Sequence, residues 1–438
     1  MDSLRKRVPR SSFGEWQPPA GRDPVGLLAE QEKSRLLELV ALRHERMAAS
    51  PFAFYRGSAV VMAADLASLP VTGITVQTCG DAHIANFGLF ATPERRVIYD
   101  LNDFDETLPG PWEWDVLRLA ASIALAARAR SFPANAHQRA VLAGVRAYRE
   151  AMAYFATLSP LEVFYQRVDV KRVIRETPLH RRVLRRVFNR ARRRTAQSAL
   201  PKLTRGVPPQ FVDQPPTFRR LRLDEEGGQV AREAHARYLE TLPAHVRMLR
   251  DRYKLHDVAL KVVGVGSVGT ACFVSLSLTD QGEPLLLQIK EAQASVLEAY
   301  TKPSEFTNHG ERVVIGQRIL QAAADIFLGW FTLGDRDYYV RQLRDMKTSA
   351  NLDIVTGPQL EFMAEYCGWT LARGHARSGD PHAIAAYLGS SDRFDLSVAR
   401  FAQTYANLAE ADHAGYVETP KLSFRVADRT LSGIAALS

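Results

Sequence analysis

The sequence predicts an α+β fold in which a largely helical lobe carries a small antiparallel β-rich lobe. Three observations predict it. Residues 257–278, DVALKVVGVGSVGTACFVSLSL, read as strand, glycine turn and strand, and PLLLQIKEA (284–292) reads as a third strand. Long stretches on both sides of this unit space their apolar residues at helical intervals. Two short β-branched runs, ITVQT (74–78) and RVIYD (96–100), stand inside the first helical stretch. The chain has 438 residues, enough for two or three globular units, and its 46% apolar and 24% charged content is ordinary for a globular protein. That excludes a disordered chain, a collagen-like fibre and a disulfide scaffold.

In order along the chain, residues 1–60 read as a Pro-, Gly- and Arg-rich loose arm followed by a helix from Leu27 to Ala49. Residues 61–256 form the helical lobe, with the two short strands and a run, GDAHIANFGLFATPE, too polar and small for a helix. Helices then dominate from Trp114 to about Ala156. VPPQFVDQPPTF (207–218) is a linker, with helix again to about Tyr253. The β-rich lobe spans 257–345: HGERVVIGQRILQAAADIF (309–327) is its amphipathic helix, and FLGWFTL and DYYVRQL are two more strands. Residues 346–438 return to helix and complete the helical lobe.

The N-terminus lacks an apolar stretch of signal-peptide type, and the longest apolar run, LRLAASIALAARA, is too short to span a bilayer and is interrupted by Arg118. Cys79, Cys272 and Cys367 lie far apart and give neither zinc spacing nor a disulfide framework. A soluble, cytoplasmic protein is expected. The net charge of +9 belongs to one insertion: residues 171–205 hold thirteen Lys or Arg against Glu176 alone, so the rest of the chain is net acidic. Three readings of this segment stand open: solvated amphipathic helices, a surface for nucleic acid or another polyanion, and contact with an anionic membrane.

Two constellations carry chemistry. The first is CGDAHIANFG followed by RRVIYDLNDFDE. Phosphoryl transfer needs a carboxylate near the acceptor hydroxyl and oxygen ligands for magnesium, which keeps several waters and so requires few protein groups. Asp81 in a loop, Asn86 five residues on, and Asp100, Asp103 or Asp105 after the next strand meet that need. The same residue types also cluster in plain turns. His83 either orients this loop or bonds its backbone, and joins Asp81 as a candidate catalytic residue.

The second constellation is GVGSVGT. Its continuation is strand-like, whereas a dinucleotide-binding turn runs into a helix. A strand–turn–strand flap could instead cover nucleotide phosphates with the backbone of Gly264, Gly266, Ser267 and Gly269. An ordinary hairpin is the competing reading. Lys290, set among apolar strand residues, requires a partner or a phosphate. Glu311 on the following helix, or the nearer Glu298, is the expected partner. Arg56, Arg341, Arg344 and Lys347 are either phosphate contacts or surface charges; His309 and His375 read as surface or helix-end histidines, and Trp112 and Trp114 as core.

Together these motifs resemble the protein-kinase-like two-lobe fold, in its aminoglycoside phosphotransferase and choline kinase branch. The branch pattern HGDxHxxN resembles Cys79–Asn86, with a cysteine in place of the leading histidine. The resemblance implies Asp81 as catalytic base, Asn86 as magnesium ligand and an aspartate of VIYDLNDFD as the second ligand. Counting back from Asp115 favours Asp103, which ranks first; counting from the strand favours Asp100. The order is inverted, because the glycine turn and lysine follow the Asp81 loop by some 180 residues. Read circularly from Asp257 the kinase order returns, so a circularly permuted kinase-like fold is expected. The whole chain also resembles the bacterial family domain of unknown function 2252, through SPFAFYRGSA, GDAHIANFG, NDFDETLPGPWEWD, GVGSVGT, QIKEA and YYVRQLRDMK.

The expected function is phosphoryl transfer from ATP, with Mg2+, to a hydroxyl of a small molecule. The alternatives are a nucleotide-sensing or polyanion-binding protein without turnover, and nucleotidyl transfer to protein.

Overall fold

The structure, a computed structural model, describes residues 2–419 apart from Arg222, Asp224, Arg344 and Ala350. The expected phosphate contact Arg344 and residues 420–438 of the last helical segment therefore lie outside the described residues.

A six-stranded antiparallel sheet forms the β-rich part. Its spatial order is Gly329–Leu333, Arg336–Gln342, Pro284–Ala292, Cys272–Leu278, Lys254–Lys261 and Phe218–Arg220. The edge strand Phe218–Arg220 begins at the last residue of the expected linker, so the sheet starts upstream of residue 257. The helix Glu225–Glu240, read from sequence as part of the helical lobe, lies on this sheet instead. Tyr238 and Leu242 share an apolar cluster there with Val258, Phe273, Leu287 and Val340. The two-residue period of a strand then turns the intervening side chains, Lys290 and Tyr339 among them, to the opposite face.

A second sheet of four short strands runs Thr348–Ser349, Phe87–Ala91, Val97–Leu101 and Val168–Asp169. Phe87–Ala91 lies inside the run expected to be irregular; its alternation is hidden because both faces are covered. The helical part is built around Trp112–Ala129, Ala134–Phe155, Gly357–Ser378 and Arg393–Glu418. Trp112–Ala129 is buried nearly all round. Trp112 and Trp114 are core residues, as read from sequence. Among the described residues, no helix is long and apolar enough to cross a membrane.

The first thirty residues are not a loose arm. Phe13 packs edge-on against Phe394, and Trp16 stacks on Tyr405 beside Phe401. Arg22 bridges Asp65 and Asp412. The apolar anchors are too widely spaced to show a period, and their partners lie almost four hundred residues away. The expected helix Leu27–Ala49 is two helices, Pro24–Glu32 and Leu37–Ala48.

Glu113, in the first turn of Trp112–Ala129, is fully buried. One carboxylate oxygen accepts from the Thr72 amide at 2.7 Å, and the other has no partner. Burial outweighs that bond and pushes the carboxyl up to about 7. The folded state therefore holds this proton more tightly than the unfolded chain. Stability should fall as pH rises from about 4.5 to 7. Thermal melts across that range should show Glu113→Gln flattening the dependence by a few degrees.

Candidate functional site

The Asp81 loop is held from below by one helix face. Asp115 and Arg118, three residues apart on Trp112–Ala129, point the same way. Asp115 accepts from the amides of Cys79 at 2.6 Å and Gly80 at 3.0 Å. Arg118 contacts Asp81 Oδ1 through Nε at 2.7 Å and Nη2 at 2.5 Å. Gly80 sits at φ +77°, and a Cβ there would lie 2.2 Å from the Glu106 carbonyl, so both conformation and space demand glycine. With Cys79 replacing the histidine of the resembled pattern, it is Asp115 that orients the loop. Asp115 is in turn backed by His375 at 3.2 Å, whose other ring nitrogen meets the Tyr148 hydroxyl at 2.8 Å. His375 is thus fully buried rather than superficial, in the last turn of the helix Gly357–Ser378, and His309 opens its helix.

Asn86 ties this loop to the next. Its amide nitrogen donates to the carbonyls of Asp81 and Asp103, each at 3.0 Å, and its oxygen accepts from the Asp103 amide at 2.7 Å. Asp103 and Asp105 then reach the sheet. Lys290 Nζ lies 2.6 Å from Asp105 and 3.3 Å from Asp103, and its side chain is only 2% exposed. Tyr339, the cross-strand neighbour of Lys290, donates to Asp105 at 2.7 Å. The Ser267 hydroxyl of the glycine turn donates to the same carboxylate at 3.0 Å. Asp105 is therefore the hub, two residues from the Asp103 that ranks first by sequence. Alternate residues of an extended segment share a side, which the DFD spacing already signals.

Burial alone would drive Lys290 towards neutrality, but the two carboxylates hold it well above its ordinary value. Opposing its own burial, the ammonium keeps Asp103 below the usual carboxylate range. Burial pushes Asp81 up to about 6 against the pull of Arg118. His83 is held neutral by burial; its Nε2 lies 3.8 Å from Asp81, too far for a hydrogen bond, and its Nδ1 has no partner.

One narrow cleft of about 110 Å³ joins Asp81, His83, Asp103, Gly264, Gly266 and Ser267. Asp105, Glu106 and Arg56 also line it, and the buried Arg56 Nε has no partner. Lys290 and Asn86 support its floor through the bonds above. Gly269 lies outside the cleft, with φ +93° and a missing Cβ that would touch Arg35.

Two expected site residues belong elsewhere. Asp100 is 1% exposed and paired with Arg373 at 2.6 Å, with the Ala322 amide on its other oxygen at 2.8 Å. It fastens the second sheet to the helix Gly357–Ser378 and does not reach the cleft. Glu311 does not pair with Lys290, and neither does Glu298, which accepts from the amides of Ser295 and Ser304. The residue facing this region from the helix His309–Leu320 is Arg312, which donates to the carbonyls of Asp105, Thr107 and Gln293. Arg341 and Lys347 both reach the Asn102 carbonyl, at 2.8 and 3.4 Å, and burial lowers Lys347 to about 7.

The glycine turn is braced from outside by the N-terminal helices. Arg35 donates to the Val268 carbonyl at 2.6 Å, Arg43 to Gly266 at 2.7 Å and Arg46 to Gly264 at 2.7 Å. The Leu36 amide donates to Gly269 at 2.7 Å. Nothing in the spacing of these arginines marks them from sequence. Arg118 did carry a signal: a lone charge inside an apolar helix has to be paired.

The residues fit a magnesium ion by the chemistry of their donors. Among the described residues, the hydrogen bonds to the Asp103 carboxylate fall on Oδ1, from Lys290 and the Phe104 amide, and Asn86 Oδ1 accepts from the Asp103 amide, so hard oxygens of both residues meet there. Among the described residues, no three His, Cys, Asp or Glu side chains gather into a self-sufficient metal cage.

Residues 35–419 match the family described as uncharacterized protein conserved in bacteria, DUF2252. The chain belongs to this family. No curated protein and no solved structure matches this DUF2252 chain.

Two outcomes test these assignments. Asp100→Ala should leave Arg373 buried without its carboxylate and cost about 3–5 kcal/mol in denaturant melts. A metal-holding Asp100 would instead show its main loss in magnesium dependence. Arg46→Ala should speed amide exchange at 264–266 while leaving exchange in the strands beyond unchanged.

Proposed function

We propose that the protein is an ATP- and magnesium-dependent phosphotransferase acting on a hydroxyl of a small molecule, with a kinase-like fold in circularly permuted order. The observation that carries this reading is the meeting of Lys290 with Asp103 and Asp105 under the glycine turn, across 187 and 185 residues of chain. A buried cation, acidic oxygens and a glycine hairpin converging on one cleft are the parts that phosphoryl transfer requires. The permuted order gains support from the segment before the Asp81 loop, which packs on the helix Arg393–Glu418 through Trp16 and Arg22.

Asp81 is ionised at neutral pH. Arg118 holds one of its oxygens, which leaves Oδ2 to accept the proton of the acceptor hydroxyl. That hydroxyl oxygen bonds to the terminal phosphorus as the bond to the bridging oxygen breaks and ADP departs. Lys290, fixed by Asp103 and Asp105, presents positive charge to the phosphates, and Arg56 adds a second cation on the Asp81 side. Magnesium, when bound, neutralises charge on the phosphoryl oxygens; Asp103 and Asn86 would hold it. The cleft of about 110 Å³ would take the phosphate end of the nucleotide.

A thermal-shift titration tests the reading. ATP with magnesium should raise the melting temperature by several degrees at saturation. Lys290→Met should abolish the shift, and Asp81→Asn should keep the shift and remove ADP formation. No shift, or one that Lys290→Met leaves intact, rejects the proposal. Turnover should rise with pH through about 6 as Asp81 loses its proton. The tight Arg118–Asp81 pair favours a second reading, nucleotide sensing without turnover, which predicts the shift but no product. Mass spectrometry of products separates added phosphate from added AMP.

A further inference from the structure

The basic insertion gains a definite shape. Its helices Val170–Glu176 and Arg181–Arg192 share one apolar cluster with the second sheet: Val170, Ile174, Phe188 and Ala191 pack with Leu89 and Val97. The charges are thereby turned outward as a single layer. Beside it lies an open groove of about 640 Å³, lined by Arg95, Arg96, Tyr165, Arg167, Lys171 and Arg175. Arg95 pairs with Asp345, but Arg96, Arg167, Lys171 and Arg175 are exposed and, among the described residues, carry no ion pair within 4 Å. Glu94 and Asp169 also line the groove, and Asp169 is occupied in capping its helix through the amides of Lys171 and Arg172. Tyr165 is 68% exposed. From the groove, the exposed Arg182, Arg185, Arg186 and Arg190 extend the positive layer along the next helix.

We infer that this groove binds single-stranded nucleic acid, its cations following the phosphates and the Tyr165 ring stacking on a base. Unpaired cations around an exposed aromatic ring are the elements of sequence-tolerant strand binding. A flat bilayer fits less well. The apolar face of Arg181–Arg192 is spent on Leu89 and Val97 rather than offered to lipid, and the groove cations sit in a hollow. The adjoining larger hollow, about 930 Å³, is walled by more acids than bases, including Glu361 and Glu365, so the strand would leave along the arginine helix instead. This inference is independent of the cleft.

The test is fluorescence anisotropy of the full chain with labelled 20-nucleotide oligouridine and oligothymidine probes in a potassium chloride series. Binding should weaken with salt with a log–log slope of about −3, corresponding to about four phosphate contacts. Replacing Arg96, Arg167, Lys171 and Arg175 together by Gln should weaken binding at least tenfold at low salt. Tyr165→Ala should lose about tenfold with little change in slope. All five side chains are exposed, and unchanged melting curves confirm intact variants; if the fourfold variant fails to fold, Lys171→Glu alone should weaken binding. Absence of oligonucleotide binding overturns the inference, as does wild-type affinity in the Gln variant. So does sedimentation with phosphatidylglycerol vesicles by a chain that ignores both probes.

Discussion

An ammonium group buried to 2% exposure sets the terms for this structure. Lys290 faces away from the apolar side of its sheet, and it can stay charged there only if carboxylates follow it in. Asp103 and Asp105 do so from a loop belonging to the other part of the chain. Removing either partner of such a cluster leaves a desolvated charge, which costs more than the pair contributes when intact. The same contact that could serve phosphate chemistry therefore also fastens the six-stranded sheet to the helical part. Tyr339 and Ser267 add hydrogen bonds to the same Asp105 carboxylate.

Two further braces determine where the cleft walls stand. On one side, Asp115 and Arg118 project one turn apart from a largely apolar helix, and they fix both the backbone and the carboxylate of the Asp81 loop. On the other, Arg35, Arg43 and Arg46 take the carbonyl groups of the glycine turn from outside. Each wall is thus held from behind by cations or a carboxylate that do not themselves need to move. Preorganisation of this kind is what electrostatic catalysis asks of a site, since dipoles already in place cost nothing to reorient.

The sequence showed most clearly what depends on local pattern. Strand 284–292, the glycine hairpin before it and the helix starting at His309 all fall where β-branched runs, glycines and helical spacing put them. Asp81, Asn86 and Asp103 were visible because turn-forming acids and amides at short spacing are themselves the signal. Partners set by long-range packing were not visible. Glu311 was the natural choice for Lys290 as the acid of the following helix, yet Asp105 reaches it across 185 residues. Asp100 has the right residue type at the end of the right strand, but strand alternation sends it towards Arg373. The N-terminal segment looked loose because its anchors, Phe13, Trp16 and Arg22, have no period and find their counterparts on the last described helix.

The charge balance of the cleft carries one more step. Asp81, Asp103, Asp105, Glu106 and Glu291 stand around it against Arg35 and Arg56, with Lys290 and Arg118 bonded to these carboxylates from behind. Burial raises Glu106 to about 7, which removes part of a negative charge at neutral pH. The surrounding cations then come close to balancing the ionised carboxylates, with Lys290 committed to two of them. Each charge is answered inside the protein, in a medium where an unanswered one would interact several-fold more strongly than in water. Under the reading proposed above, Asp103 would be divided between Lys290 and a divalent cation, while Asp105 keeps the ammonium in place.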